Sequence, residues 1–200
     1  MARSGPATPI TADEFADAMK AFAPFEHAPH LAVGVSGGAD SLSLAVLADR
    51  WARARGGEVI ALIVDHGLRD GSGDEAALTA ARLTAEGVRA EILRWRNDKP
   101  MTGIQNAARQ ARYALLDGWC RWHGVLHLAV AHHADDQAET FMMRLQRGSG
   151  PDGLAAMAPV RELGACRLMR PLLDFPKTRL AATLRTRCRW WRRGWPTSLT

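Results

Sequence analysis

The chain is short of cysteine. Its 200 residues hold three, Cys120, Cys166 and Cys188, too few and too scattered for a disulfide framework. None stands in a C-x-x-C pair, so no zinc ribbon or cysteine-held cluster is readable. Lysine is scarce too: three Lys stand against 23 Arg, which together with the many alanines fits a GC-rich bacterial coding sequence. No apolar stretch reaches 18 residues without a charge, which excludes a spanning helix and gives no membrane partner. The N-terminus has no apolar core behind Arg3, so it does not read as a secretory signal, and a cytoplasmic location is expected. What is present is globular: 47% hydrophobic and 24% charged residues exclude a disordered or fibrous chain. The length suits one domain with at most a fragment of a second.

The net charge of +5 invites a nucleic-acid reading, but its location weakens that reading. Residues 185–200 contain five arginines and no acid, so the remaining 21 basic residues of the body balance its 21 acids. Three of the seven tryptophans also crowd into 190–195. We therefore divide the chain into a main domain over 1–184 and an atypical basic tail over 185–200. The tail is expected to be a frameshifted or truncated product; the competing expectation is a genuine RNA-contacting tail.

Strand and helix patterns alternate along the body. Apolar or β-branched runs at 31–35, 58–64, 88–93 and 125–130 predict four strands. Helical spacing predicts helices over 11–23, 41–55, 73–86, 104–122 and 134–147, with Thr11 capping the first ahead of Glu14. The expected fold class is α/β: a parallel, doubly wound, Rossmann-like sheet with helices on both faces. Ligands of such sheets bind beyond the C-terminal strand ends, so each motif is tested by whether it follows a strand.

Ser36-Gly37-Gly38-Ala39-Asp40-Ser41 passes that test, lying between the first strand and the next helix. Paired glycines allow a tight turn and bring amides close to an anion at the helix start. Ser36 and Ser41 can add hydroxyl donors. Asp40 would be unfavourable in an anion cradle without a cation, which points to Mg2+ bridging it to phosphate. The plain alternative is an ordinary βα turn with a capping serine. Gly34–Gly38 also spells G-x-S-x-G, but it follows the first strand and sets an acid beside the serine, unlike a hydrolase elbow. Gly148-x-Gly150-x-x-Gly153 follows a helix rather than a strand and contains Pro151, so it is no dinucleotide fingerprint.

Three further segments carry chemistry. Val64-Asp65-His66-Gly67-Leu68-Arg69 ends the second strand. Ala131-His132-His133-Ala134-Asp135-Asp136-Gln137-Ala138-Glu139-Thr140 follows the fourth. It packs two histidines and three acids too densely for a structural role. It reads either as a His/carboxylate metal site or as a carboxylate cluster for a cationic substrate and magnesium. The divergence of adjacent His132 and His133 favours the second. Arg109 and Arg112, at i and i+3 beside Tyr113, can grip phosphate, though either alone reads as a solvated arginine.

In this order the motifs resemble one family. Ser36–Ser41 is similar to the pyrophosphate loop of the N-type ATP pyrophosphatases. Together with 64–69, 108–113, 131–140, 147–157 and 170–173 it resembles the tRNA(Ile)-lysidine synthetases, over roughly residues 31–180. The resemblance implies a carbon–nitrogen ligase. ATP would adenylate C2 of the wobble cytidine of tRNA(Ile), releasing pyrophosphate, and free L-lysine would then displace AMP. It implies that Ser36, Gly37, Gly38, Ala39, Asp40 and Ser41 bind the nucleotide, with Asp40 also at Mg2+. Arg112 would offset phosphate charge, Asp136 and Glu139 would handle the lysine amine, and His132 would orient a partner group. Strand ends near 33–35 and 63–65 would flank adenine. A monomer and a homodimer both stay open. So do two other functions: a thiolase of the same superfamily, which the isolated cysteines disfavour, and a non-catalytic nucleotide-binding fragment.

Overall fold

A computed structural model describes residues 7–146, 157–188, 190 and 191. Six strands form one sheet: β1 (His30–Val35), β2 (Glu58–Asp65), β3 (Arg89–Arg94), β4 (His127–Val130), β5 (Val160–Glu162) and β6 (Arg167–Met169). Their spatial order is β3-β2-β1-β4-β6-β5. All neighbours run parallel except β5, which pairs antiparallel with β6 at the edge. The chain steps outward from β1 to β3, then returns to place β4 on the other flank of β1. Val33 thus pairs with Ala61 on one side and Ala129 on the other. The reversal between β1 and β4 opens a crevice at their C-terminal ends.

The strands of the centre are apolar on both faces because helices cover both. Leu31, Val33 and Val35 of β1, with Val59, Ala61 and Ile63 of β2, pack on one side beneath α1 (Ala12–Lys20), α2 (Ala39–Arg53), α3 (Ser72–Ala85) and α6 (Lys177–Arg187). Ala32, Ile60, Leu62, Leu128 and Val130 face the other side, against Leu116, Trp119 and Cys120 of α4 (Ile104–His123). That split is the period-two alternation of a strand made spatial. No helix of the described residues is long and apolar enough to cross a membrane.

Most expected elements form with shifted ends. The Thr11–Glu14 capping box is present, and α1 stops at Lys20, three residues before its expected end. β4 begins at His127 rather than 125, because Val125 closes the preceding helix by bonding Cys120. The β5–β6 hairpin and α6 were not expected, and the hairpin makes the sheet mixed rather than wholly parallel. The strands of that hairpin are three residues each, too short to show a period. α6 runs through the expected boundary at 184 to Arg187, and Cys188 beyond it is fully buried in the core. The Gly148–Gly153 match, most of the 147–157 segment and most of the tail lie outside the described residues.

Candidate active site

The site grows from the turn after β1. Gly37 takes a φ of +88°, and a Cβ there would meet Thr79 Oγ1 of α3 at 3.2 Å. Only glycine passes this point without strain. Gly38 has an ordinary φ of −75° and is the N-cap of α2, with no side chain to cap the helix. The first amides of α2 therefore lack intrahelical partners and face the crevice as the positive end of a dipole. Within the turn, the Ser36 amide donates to Ser41 Oγ at 3.1 Å, and Ser41 Oγ donates to the Gly38 carbonyl at 3.0 Å. The two serine hydroxyls lie 3.2 Å apart.

Asp40 stands one residue into α2. Its Oδ1 is buried with no hydrogen-bond partner, while its Oδ2 lies 3.4 Å from His133 Nε2 and 4.0 Å from Lys177 Nζ. Burial raises its carboxyl above the usual range, against the opposing pull of His133 and Lys177. An orphaned carboxylate oxygen beside an anion cradle suits a hard divalent cation shared with phosphate. Among the described residues no cluster of three His, Cys, Asp or Glu could hold a metal alone, so phosphate oxygens would complete the set.

The turn after β4 supplies the opposite wall. His133 is buried; its amide donates to Asp136 Oδ2 at 2.9 Å, and the Asp136 amide points back to Nδ1 at 3.4 Å. Nδ1 also lies 3.5 Å from Asp135 Oδ2 and from Asp136 Oδ2, while Nε2 faces Asp40. Asp135 Oδ2 accepts the Lys177 amide at 2.8 Å, joining the starts of α5 (Ala134–Gln146) and α6. The neighbouring His132 points elsewhere, as adjacent residues leaving a strand should. Its Nδ1 accepts Arg170 Nε at 3.2 Å. Arg112 reaches in from α4, its Nη2 3.4 Å from the Gly34 carbonyl.

A cavity of about 210 Å3 brings Ser36, Gly38, Asp40, Ser41, Arg112, His132 and Asp136 together. Ala39 is the first residue of α2 and is not part of this lining. Glu139 is exposed on α5 and is not part of this lining. The sequence reading missed Lys177 and left His133 without a role. Lys177 carried a signal: it is one of only three lysines and follows Pro176. A second cavity of about 420 Å3 adjoins the same Ser36 turn. Ile63, Val64, Leu68 and Ala76 give it apolar walls; Asp65 and His66 give it polar ones. His66 Nδ1 is buried without a partner there.

The family model described as the PP-loop domain matches residues 10–194, which contain both cavities. This chain belongs to the PP-loop family. It is 48% identical over 180 residues to a tRNA(Ile)-lysidine synthase of Bradyrhizobium diazoefficiens, covering 89% of this chain and 49% of that one. A tRNA(Ile)-lysidine synthase of Rhodopseudomonas palustris is 49% identical over 170 residues, covering 84% and 49%. The chain thus spans about half the length of the curated relatives it matches. The solved U34-tRNA thiolase NcsA from Methanococcus maripaludis, with its [4Fe-4S] cluster, shares the fold. Its TM-score is 0.72 at 19% identity, covering 93% of this chain and 67% of that one.

In this PP-loop chain the three cysteines are all buried. Cys120 and Cys166 pack in the cluster beneath α4, whereas Cys188 lies across the sheet. They form no common ligand set.

The electrostatics of the second wall give a pH prediction. Burial, then the Arg170 charge, depress the His132 imidazole from its ordinary 6.5 to about 4. Between those values the unfolded chain binds the proton more readily than the native one. The stability from a neutral ring is therefore complete above about 6.5 and is lost as pH falls toward 4. The stability difference between wild type and His132→Gln should shrink steadily across that window in urea titrations. A difference independent of pH would contradict the assignment.

Proposed function

We propose that this PP-loop chain carries the ATP-activating and lysine-transferring site of a tRNA(Ile)-lysidine synthase. The observation that carries the reading is the 48% identity to curated synthases across the whole site. The geometry is compatible with the chemistry. The 420 Å3 cavity has the size and apolar walls for an adenosine, and it opens at Ser36 onto the amides of α2. Those amides and the Ser36 and Ser41 hydroxyls would receive the departing pyrophosphate, and Arg112 would offset charge on the phosphates. Asp40 would hold Mg2+, which supplies charge neutralisation at the phosphates.

The activated carbon is C2 of the wobble cytidine, its oxygen bonded to AMP. The lysine amine attacks C2, the C2–O bond breaks, AMP departs and the amine sheds a proton. Asp136, which lines the 210 Å3 cavity and accepts the His133 amide, would hold the ammonium group and take that proton. Neutral His132, held by Arg170, would orient the acceptor without adding charge. Glu139 would meet lysine only from the rim.

The test is incubation with ATP, Mg2+, radiolabelled lysine and unmodified tRNA(Ile). Lysine is expected in the RNA fraction, with one AMP formed per lysine transferred. ATP binding with neither transfer nor pyrophosphate release, under any RNA supplied, would reduce the chain to a nucleotide binder.

A further inference from the structure

Arg170 follows β6 and is only 7% exposed. Its guanidinium bonds two uncharged acceptors, His132 Nδ1 at 3.2 Å and the Ala158 carbonyl at 2.5 Å. Arg109 of α4 lies over the Tyr113 ring, and Arg161 projects from β5; both are exposed. Among the described residues, no carboxylate forms an ion pair with Arg109, Arg112, Arg161 or Arg170, although five other arginines of the fold do have one. Burial lowers the Arg170 guanidinium from its ordinary value; Tyr113 pulls the other way, and the positive charges of Arg161 and Arg109 press it down further. Arg112 is lowered by burial too, with Tyr113 again opposing and Arg109 adding to the fall. A guanidinium withdrawn from water ordinarily brings its counter-charge along, because a lone desolvated charge is costly. Here like charges converge with none. The counter-charge belongs to a ligand, and the nucleotide phosphates account for Arg112 alone.

We propose that Arg109, Arg161 and Arg170 form a second anion subsite, beside the nucleotide cleft, that seats backbone phosphates of the RNA strand being modified. This rests on the RNA-modifying reading above and says where the strand enters. The alternative oxyanion is the carboxylate of free lysine. One carboxylate is satisfied by one bidentate guanidinium. Three guanidiniums on α4, on β5 and after β6, two of them open to solvent, suit a chain whose charges repeat.

The experiment measures binding of a fluorescent anticodon stem–loop RNA at several KCl concentrations, without ATP. Arg161→Gln should weaken binding about tenfold at low salt and flatten the log–log salt slope by roughly 0.7–1. Arg161→Lys should restore most of the slope, and ATP affinity should not move. Arg109→Gln should add to the effect. Arg89→Gln, beside Glu58 at the opposite rim, should change nothing. Unchanged slope and affinity in the double Arg109→Gln, Arg161→Gln variant would overturn the subsite. So would RNA binding that stays intact while the KM for lysine rises, or no RNA binding at the lowest salt. RNA held with the expected slope but never lysylated would instead count against the synthase reading alone.

Discussion

Replacing Asp40 with asparagine is expected to cut pyrophosphate release by roughly 10²–10³-fold while leaving the chain folded. The two halves of that expectation have one cause. The Asp40 carboxylate is partly desolvated and one of its oxygens has no partner in the fold. Its pKa is raised, so the native state binds the proton more readily than the unfolded chain. The charged form therefore weakens the fold as pH climbs through the elevated value. His133 and Lys177 temper that penalty but do not reverse it. Asparagine is close to isosteric and removes the charge, so at neutral pH the variant should resist urea at least as well as wild type. Catalysis should respond oppositely, because an amide neither balances a divalent cation nor holds it as tightly. Steady-state release of pyrophosphate, read beside a urea midpoint, separates the two. A variant that turned over at the wild-type rate would remove Asp40 from the mechanism. One that unfolded would make the residue structural.

Gly57→Ala, just before β2, should be strongly destabilising, costing about 3 kcal/mol. A Cβ at Gly57 would stand 2.1 Å from the Pro29 carbonyl oxygen and 2.7 Å from the Pro29 nitrogen. The obstacle is backbone, which cannot rotate aside. Both chains are also pinned: the Gly57 amide donates to the Ala52 carbonyl at 2.9 Å, and the Glu58 amide donates to that same Pro29 carbonyl at 3.1 Å. Relieving the overlap means pulling the start of β2 away from the start of β1, the strand that carries the Ser36 turn. Neighbouring Gly56 offers a control, since a Cβ there meets nothing within 4 Å and pays only for its φ of +71°. Gly56→Ala should therefore cost less than Gly57→Ala in the same denaturation series. Equal midpoints would show that the strand entrance yields more easily than its hydrogen bonds imply.

How far the molecule was legible varies by element. The run over 58–64 reads as a strand because it is short and β-branched, and β2 occupies Glu58–Asp65. The capping box at Thr11 is a local hydrogen-bond pattern and forms as written. The β5–β6 hairpin left no signal, since its residues are strands only through pairing with each other and with β4. Arg112 taken alone reads from sequence as a solvated arginine, and only its pairing with Arg109 suggests a grip on phosphate. Only its position beneath the crevice strips it of water.

The chain's own order of residues was enough to place an anion-binding turn after the first strand, a charged turn after the fourth and helices between them. Those features depend on φ preferences and on periods of two and 3.6, which act over a few neighbours. Which side chains meet across the crevice was decided by the tertiary structure. Strand order and crossover direction bring His133, not His132, to Asp40, set Lys177 against both turns and leave Glu139 outside. Such meetings join segments far apart in the chain, and no local preference encodes the distance between them.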